Sequence, residues 1–275
     1  MSDPPTPPQD YPPAEHVLRD LRLWSDSASE PPRAGLPVSG ALHGAAGACA
    51  TGVLAVLVDV VAGGAALRAA DEGWIATSDL QVHWLEPVAS GDLVASAEAL
   101  RSGRTSIVVE VSVEAAGRRV GFGRVGFSRL EAKGDYQRRP RTARSGRVDW
   151  GAGQAGFREP WAERIGALVR APAEGLLELP VTPYVGNSLG GLQGGIAVAL
   201  LDFAAEAAAN ARGGTRLATR DLAVHFLSIA RRGPVRTRAE VLRRDAAGCL
   251  LRVEARDAGA DDRLTTVATA SLAAG

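Results

Sequence analysis

Two long apolar stretches dominate the pattern of hydrophobic and polar positions along this chain. Each follows a Gly-rich loop and carries a carboxylate about two turns in, at Asp59 in the first stretch and at Asp202 in the second. A helix that is apolar on every face is typical of a buried core element, so we predict helices at residues 51–70 and 195–210. The acids, and the abundance of Gly and Ala, argue against a membrane span, which needs about 20 apolar residues.

Short alternating segments follow each apolar helix. Residues 79–84, for example, alternate between polar and apolar side chains, which is the period-two pattern of a half-buried strand. The strands predicted after the helices are 75–85, 93–100, 106–114 and 119–130 in the first half, and 217–227, 235–242, 250–256 and 264–272 in the second. One more strand is predicted at 176–179, before the second helix. One long helix lying on antiparallel strands predicts an α+β fold.

The remaining segments define the boundaries between units. Residues 1–14 are Pro-rich and predict a disordered tail, and residues 132–160 are basic and Gly-rich, which predicts a linker. We therefore expect an N-terminal unit at 15–131 and a C-terminal unit at 161–275. The shorter elements predicted are a helix at 15–23, a loop with one short strand at 25–40, and a second short helix at 161–169.

The two halves are copies of each other. Residues 44–59 align with 187–202 without a gap, and residues 77–85 align with 219–227, sharing an Asp-Leu-x-Val-His-x-Leu motif. Self-similarity of this kind indicates an internal duplication. Each half is therefore expected to build the same helix-and-sheet unit.

Composition excludes several classes of function. Basic and acidic residues number 31 each, so the net charge is zero and nothing favours nucleic acid or an anionic membrane as a partner. Cys49 and Cys249 have no metal-type or redox spacing, so we expect buried thiols and no metal site. The N-terminus has no basic or apolar signal region, and we expect a cytoplasmic protein.

The loop before the second helix resembles a known family. Asn187, then Gln193-Gly194-Gly195 six residues on, then Asp202 nine residues after Gln193, is similar to the signature of hotdog-fold acyl-CoA thioesterases. The similarity is greatest to the PaaI-like group of the 4-hydroxybenzoyl-CoA thioesterase superfamily. That group has Asn, then His-Gly-Gly, then an acid nine residues after the His.

The resemblance implies a tandem double hotdog, an α+β fold in which each half is a long helix wrapped by an antiparallel sheet. It also implies an acyl-CoA substrate, no cofactor beyond the coenzyme A of that substrate, and active sites between paired units. A homodimer of double hotdogs is a further expectation. The chain departs from the family at Gln193, where His is usual. It departs also in the first copy, where Gly44 and Ala50 replace the Asn and the His.

Thioester hydrolysis needs a donor for the carbonyl oxygen and a base or nucleophile near the carbonyl carbon. The Gly194 N–H is our candidate donor, because amides at a helix N-terminus are unpaired and the helix dipole favours negative charge there. Asn187 and Gln193 are candidate side-chain donors beside it. Asp202 lies on the same helix as Gly194, roughly 12 Å away at 1.5 Å per residue, so it cannot act on the same carbonyl.

The acid must therefore come from the other copy, and Asp59 is the candidate. The resemblance adds Thr77, eighteen residues after Asp59, as a residue that helps to hold the attacking water. Asp59 either activates that water or attacks the carbonyl directly to give an anhydride. The pattern does not choose between these two routes.

The second composite site is predicted to be degenerate. It combines Thr51, Asp202 and Arg220 with Gly44 and Ala50, so it lacks both side-chain amide donors. Loss of one such donor typically costs about 3 kcal/mol of barrier. We therefore expect one working site.

Other polar residues have weaker assignments. Related proteins contact coenzyme A phosphates near the turn Gly103-Arg104-Thr105, and Arg231-Arg232 occupies another plausible edge, although an exposed Arg is more often simply solvated. Glu206 is expected to be a solvated or interface acid. The alternating strand residues are interpreted as structural; they are Asp79, His83, Asp221 and His225.

Structural alternatives exist for the candidate site as well. The two aspartates could bond neighbouring backbone groups, Gly194-Gly195 could provide close packing at a helix start, and Asn187 could cap its loop. At the level of function, the alternative to a thioesterase is a non-catalytic protein that binds an acyl or coenzyme A ligand or only builds an oligomer. A hotdog hydratase would need a His and acid pair on the helix-entry loop, which neither copy has.

Overall fold

The computed structural model describes residues 11–70, 73–130, 146–211 and 213–274. Most of the predicted tail and the first part of the predicted linker lie outside these ranges. The helices are α1 (Val17–Asp20), α2 (Thr51–Ala69), α3 (Trp161–Arg164) and α4 (Gly194–Asn210). In the first half the strands are β1 (Trp24–Asp26), β2 (Arg33–Val38), β3 (Trp74–Trp84), β4 (Gly91–Ser102), β5 (Ser106–Ala115) and β6 (Arg118–Leu130).

A short strand and the second half complete the set of elements. The strands are β7 (Arg147–Asp149), β8 (Leu168–Ala171), β9 (Leu176–Leu179), β10 (Leu217–Phe226), β11 (Val235–Asp245), β12 (Gly248–Asp257) and β13 (Arg263–Ala274). Short 3₁₀ turns occur at Gly40–Leu42, Pro172–Glu174 and Pro183–Val185. Both long helices and the four strands that follow each of them confirm the predicted α+β pattern.

The two long helices pack directly against each other and run antiparallel. A Cβ atom on Gly52 would lie 2.7 Å from the Ala199 Cα, and one on Gly195 would lie 2.6 Å from the Val56 Cα. Because residue numbers rise along one helix as they fall along the other, the helices are antiparallel. Glycine is required at both crossings, since a side chain would clash with the opposite backbone.

All described strands form one continuous sheet. Its order is β7-β1-β2-β4-β5-β6-β3-β10-β13-β12-β11-β9-β8. The halves join where β3 pairs antiparallel with β10, with Gln81 opposite Ala223 at the centre of the joint. One joint sheet around two antiparallel helices confirms the expected double hotdog.

Helix α2 is long and apolar enough to cross a membrane by length and composition, but 67% of its most apolar stretch is buried inside the fold. Its apolar side chains pack against the inner faces of the strands, where Val109, Val111 and Leu80 are fully buried. This is the position predicted for a core helix. Both Cys49 and Cys249 are buried free thiols, as expected.

The structure corrects the two short predicted helices. Only Val17–Asp20 and Trp161–Arg164 are helical, and residues 168–171 form strand β8, which pairs with β9. Each short helix is followed by a residue in the left-handed region, Arg22 with φ 54° and Gly166 with φ 83°, where the chain changes direction. Such left-handed residues stop a helix.

The segments predicted as a loop and a linker contribute three strands to the sheet edge. Strand β1 pairs with β2 on one side and with β7 on the other, so residues 147–149 extend the sheet of the first half. Trp150 packs against the core directly after β7. The sequence pattern did not predict β7, because three residues are too short to show a period.

Candidate active site

Asp59 is the centre of a hydrogen-bond network that joins the two halves. Its Oδ2 atom accepts from the Gln193 Nε2 at 2.8 Å and from the Gly195 N–H at 3.1 Å, and its Oδ1 atom accepts from the Thr77 hydroxyl at 3.1 Å. The carboxylate is therefore held by the N-terminal turn of α4 on one side and by β3 on the other. The predicted approach of Asp59 to the second copy is found in these contacts.

Burial raises the pKa of Asp59 to about 6, and the hydrogen bonds from Thr77, Gly195 and Gln193 oppose that rise. The charged form loses hydration on burial, whereas each donor stabilises it. Asp59 is therefore ionised for the most part at neutral pH, and it is more basic than an exposed aspartate. Those are useful properties for a general base.

Gln193 is the N-cap of α4 and also a partner of Asp59. Its side-chain Oε1 accepts from the Ile196 N–H at 2.8 Å, while its Nε2 donates to Asp59. The amide thus satisfies an orphan N–H of the helix and orients the carboxylate at the same time. The sequence predicted a donor here, and the structure directs that donor to Asp59.

Gly194 is the first residue of α4 and lies against Asp59. A Cβ atom at this position would be 3.0 Å from the Asp59 Oδ2, so the absence of a side chain keeps the space beside the carboxylate open. Within the described residues the Gly194 N–H has no hydrogen-bond acceptor. It points from the positive end of a helix dipole, and Gly194 lines a large cavity together with Asp59 and Thr77.

That cavity has a volume of about 640 Å³ and contains residues of both halves. Its size falls in the range of sites for small molecules, about 300–1,000 Å³. The walls are apolar for the most part. They include Leu67, Ile75, Phe127, Leu130, Trp150, Phe226 and Ile229.

Asn187 organises the loop that precedes α4. Its Oδ1 accepts from the N–H groups of Leu189 and Gly191 at 2.9 and 3.0 Å, and its Nδ2 donates to the Leu192 carbonyl at 3.1 Å. These contacts correspond to the loop-cap interpretation of the sequence. Asn187 lines the cavity, but its amide contacts are within its own loop.

The second composite site repeats the central contact of the first. Asp202 Oδ2 accepts from the Gly52 N–H at 2.8 Å, as Asp59 does from Gly195. Asp202 is fully buried, and burial raises its pKa. Its Oδ1 atom has no hydrogen-bond partner among the described residues.

Arg220 lines the smaller cavity of this site, but it is not the counterpart of Thr77. Thr77 and Thr219 both lie at a register shift of their strands, followed by Asp79 and Asp221 respectively, so Thr219 is the counterpart of Thr77. The Arg220 guanidinium instead donates to the carbonyl of Ala274. Thr77 lies eighteen residues after Asp59, whereas Thr219 lies only seventeen after Asp202. A count of eighteen therefore reaches Arg220 instead of the true counterpart.

Thr51 is the counterpart of Gly194 in the second site, and its side chain occupies the space that the glycine leaves empty in the first. It is the first residue of α2, and its hydroxyl donates to the Thr219 carbonyl at 2.6 Å. Ala50, the N-cap of α2, makes no side-chain hydrogen bond. The second site therefore lacks both the glycine and the amide of the first.

Glu206 lies at the contact between the two halves, which was one of its two predicted settings. It is 8% exposed, and its carboxylate accepts from the Ala45 N–H at 2.8 Å and from the Thr219 N–H at 3.4 Å. Burial and the adjacent Asp202 raise its pKa to about 8. Glu206 also lines the smaller cavity of the second site, about 210 Å³. It is thus a buried acid and not a solvated one.

The weaker coenzyme A candidates lie apart from Asp59. The turn Gly103-Arg104-Thr105 packs at the C-terminal end of α2, where Arg129 bridges the carbonyls of Gly103 and Ala70. Ala70 is eleven residues from Asp59 along the helix, roughly 16 Å at 1.5 Å per residue. The structure does not bring this turn to the site.

Arg231 and Arg232 lie beside the loop of Asn187. The Arg231 guanidinium donates to the carbonyls of Leu189 and Gly190 at 2.5 and 3.3 Å. The backbone N–H groups of Arg231 and Arg232 donate to Asp257. Arg231 therefore stabilises the loop, while Arg232 has an exposed side chain at the same edge.

The alternating strand residues have a structural role at the joint between halves. His83 Nδ1 and Asp221 Oδ1 are 2.7 Å apart across β3 and β10, and the His83 ring stacks on Phe122. Asp79 accepts from the Ser78 hydroxyl. His225 faces Asp79 in the strand register. In the part of the chain that the structure describes, no group of three or more His, Cys, Asp or Glu residues is placed to hold a metal ion.

Comparison with known proteins agrees with the fold. The family model of the thioesterase superfamily matches residues 46–122 and 189–262, more than half of the chain. A search of curated proteins gave no match.

Among solved structures, a hot dog fold protein of unknown function from Alicyclobacillus acidocaldarius is 15% identical, with a TM-score of 0.63 over 94% of this chain and 98% of that one. A protein described provisionally as a thioesterase II from Thermobifida fusca is 18% identical, with a TM-score of 0.59 over 91% and 95%. An acyl-ACP thioesterase from Bacteroides thetaiotaomicron is 11% identical, with a TM-score of 0.57 over 87% and 96%. At these identities the structures show the shared hotdog fold.

Proposed function

Because this chain belongs to the thioesterase superfamily, we propose that it hydrolyses acyl-CoA thioesters at one composite site, with Asp59 from the first half and the start of α4 from the second. One observation carries this proposal. The ionisable Asp59 carboxylate and the unpaired Gly194 N–H lie next to each other at one cavity. Thioester hydrolysis is the chemistry that the family supports, and a base beside an oxyanion donor is what that chemistry needs.

The Gly194 N–H is the proposed oxyanion donor. As the thioester carbonyl becomes tetrahedral, its oxygen gains negative charge, which an amide at a helix N-terminus stabilises. The amide is fixed by α4 before substrate binds, so no reorganisation is needed. The absence of a side chain at Gly194 lets the carbonyl approach the backbone closely.

Asp59 is the proposed base toward the attacking water. The Thr77 hydroxyl donates to Asp59, so its oxygen is free to accept a hydrogen bond from a water that also donates to the carboxylate. Asp59 takes one proton from that water, the resulting hydroxide oxygen bonds the carbonyl carbon, and the C–S bond then breaks. The coenzyme A thiolate leaves with the electron pair and takes up a proton. Gln193 keeps the carboxylate oriented and lowers its pKa.

The apolar walls of the 640 Å³ cavity are suited to an acyl group. Coenzyme A is the proposed carrier. The Bacteroides neighbour acts on acyl-ACP, so an acyl carrier protein is the alternative carrier that the assay should include. The proposed reaction consumes only thioester and water, and no cofactor enters it.

The direct test is an assay of the purified full-length chain with a thiol reagent. A panel of acyl-CoA thioesters and the matching acyl-ACP thioesters should be compared at neutral pH. We expect turnover of acyl-CoA that is lost in Asp59→Asn. Binding of acyl-CoA without turnover by the wild-type protein would support a non-catalytic ligand-binding role instead. Turnover of acyl-ACP but not of acyl-CoA would show that the acyl carrier is a protein and not coenzyme A.

A further inference from the structure

Two adjacent glycines, Gly63 and Gly64, lie in the interior of the continuous helix α2. Glycine inside a helix lowers its stability relative to alanine, because more backbone entropy is lost on folding. The copy in α4 does not share this feature. Alignment of Asp59 with Asp202 places Glu206 and Ala207 at the equivalent positions. The helix of the first half therefore carries two unfavourable residues that its duplicate does not have.

Neither glycine is required by packing. A Cβ atom on Gly63 or on Gly64 would meet nothing within 4 Å, in contrast to Gly52, where the opposite helix is in contact. Both residues line the 640 Å³ cavity. The glycines thus leave open space inside the candidate site.

Gly63 lies on the same face of α2 as Asp59, one turn further along. Residues four apart on a helix are neighbours on one face, and four residues advance roughly 6 Å along the axis. Leu67 follows one turn later and also lines the cavity. The open space is therefore continuous with the site, beginning one turn from the carboxylate.

The second half shows what a side chain does at this position. Glu206, the counterpart of Gly63, extends into the space between α4 and the loop of the first half and accepts from the Ala45 N–H. A Cβ atom on Gly44 would be only 2.9 Å from its Oε1. The cavity there measures about 210 Å³ instead of 640 Å³. A filled position thus accompanies the smaller cavity.

The walls of the cavity that Gly63 and Gly64 line indicate the chemistry of the ligand. Most are apolar side chains, such as Ile75 of β3, Phe127 of β6 and Trp150 after β7, although Arg33 also lines the cavity. Coenzyme A phosphates and the amides of its pantetheine arm are poorly suited to such walls. The acyl group of the substrate is the part that fits.

We propose that Gly63 and Gly64 determine acyl specificity, and that the site selects large apolar acyl groups that extend at least one helical turn from the thioester carbon. This inference rests on the proposed function for the identity of the substrate. Short acyl groups leave the space beside the glycines unfilled. A side chain at either position competes with the acyl group for that space.

The test uses the full-length chain with Gly63→Ala, Gly64→Ala and Gly63→Leu, and with Gly40→Leu as control, since Gly40 is also open but does not line the cavity. Binding of the non-hydrolysable thioethers S-dodecyl-CoA and S-ethyl-CoA is measured by calorimetry, alongside kcat/KM for dodecanoyl-CoA and acetyl-CoA. We expect wild type to prefer dodecyl. Gly63→Leu should weaken dodecyl binding at least about tenfold relative to ethyl, and the dodecanoyl to acetyl ratio of kcat/KM should fall equally.

The melting temperature separates a specific effect from misfolding. Each Gly→Ala change should raise Tm by about 2 °C, because the helix gains stability, while the same variants lose preference for the long chain. An unchanged dodecyl to ethyl ratio in Gly63→Leu, or a wild type that binds neither thioether, overturns the proposal. Selective thioether binding without hydrolysis leaves this proposal standing and overturns the proposed function alone.

Discussion

The Asp59 carboxylate accepts a hydrogen bond of 3.1 Å from the Gly195 N–H, although 136 residues separate the two in sequence. The same contact recurs between Asp202 and Gly52 at 2.8 Å. Each buried carboxylate is thus held at the positive end of the opposite helix, where the helix dipole stabilises its charge. This relationship follows from antiparallel packing of two duplicated helices, and it explains why an acid recurs two turns into each.

The oxyanion role of Gly194 can be tested although the donor is a backbone group. Proline is tolerated at the first position of a helix, and Gln193 has the extended conformation (φ −66°, ψ 138°) that a residue before proline prefers. Gly194→Pro therefore removes the N–H and retains the helix. We expect kcat to fall about 10²–10³-fold.

Gly194→Ala is the matched control for this variant. It brings a Cβ atom to the same place beside Asp59 but keeps the N–H. We expect Gly194→Ala to retain at least about tenfold more activity than Gly194→Pro, measured as kcat on the best acyl-CoA. Equal losses in the two variants would assign the effect to crowding and remove Gly194 from the oxyanion role.

Gln193 has two contacts, and two substitutions separate them. Gln193→Ala removes both the N-cap and the donor to Asp59, so it should lower the free energy of unfolding by about 1 kcal/mol and reduce kcat/KM. Gln193→Ser restores an N-cap but cannot reach Asp59, so it should recover stability without recovering activity. Urea unfolding and steady-state kinetics measure the two effects. If activity returned with stability, Gln193 would act only through the helix.

The pH dependence of kcat/KM should report on Asp59. Its pKa is raised to about 6, and the base must be ionised, so activity should rise between pH 5 and 7 and then level off. Thr77→Val removes a donor that favours the charged form, so the rise should move to higher pH, with an activity loss of about tenfold at neutral pH, or 1.4 kcal/mol. Thr219→Val, at the counterpart in the second site, should leave the profile in place. A shift in Thr219→Val and none in Thr77→Val would contradict the assignment.

Stability should decrease as the pH rises, because of Glu206. Its pKa is raised in the folded protein to about 8, above its value in the unfolded chain, near 4.3. Between these values the folded protein binds more protons than the unfolded chain, so the free energy of unfolding falls as the pH rises. Glu206→Gln removes this titrating group, so the dependence of the free energy of unfolding on pH should become less steep by up to about 1.4 kcal/mol per pH unit, the value for one bound proton. Urea unfolding from pH 5 to 8 measures it, and parallel slopes in the two proteins would contradict the prediction.

The long elements of this fold could be predicted from sequence because their patterns repeat over many residues. The helix predicted at 51–70 is Thr51–Ala69, and the one predicted at 195–210 is Gly194–Asn210. The resemblance to the hotdog family implied the pairing of the two units as well. Strand β7 and the end of α3 depend on contacts that form only after folding, such as the pairing of Trp24 with Asp149.

Within the site, the sequence identified positions more readily than contacts. Asp59, Thr77 and Gln193 were predicted to share one composite site, and the structure brings the three together, with Gln193 and Thr77 both donating to Asp59. Glu206 was expected to be either a solvated or an interface acid, and the structure places it at the interface. The pattern could not choose, because periodicity does not show what lies opposite a helix face. Arg220 lies eighteen residues after Asp202, as Thr77 does after Asp59, but the alignment of residues 77–85 with 219–227 pairs Thr77 with Thr219, and the structure agrees with the alignment.

The central claim is that catalysis uses Asp59 at one composite site, and paired aspartate variants test it most directly. The measurement is kcat/KM of Asp59→Asn and Asp202→Asn on the same acyl-CoA, with circular dichroism to confirm that both variants fold. We predict a loss of at least about 10³-fold for Asp59→Asn, about 4 kcal/mol, and less than tenfold for Asp202→Asn. An equal loss in the two folded variants, or full activity in Asp59→Asn, would contradict the account.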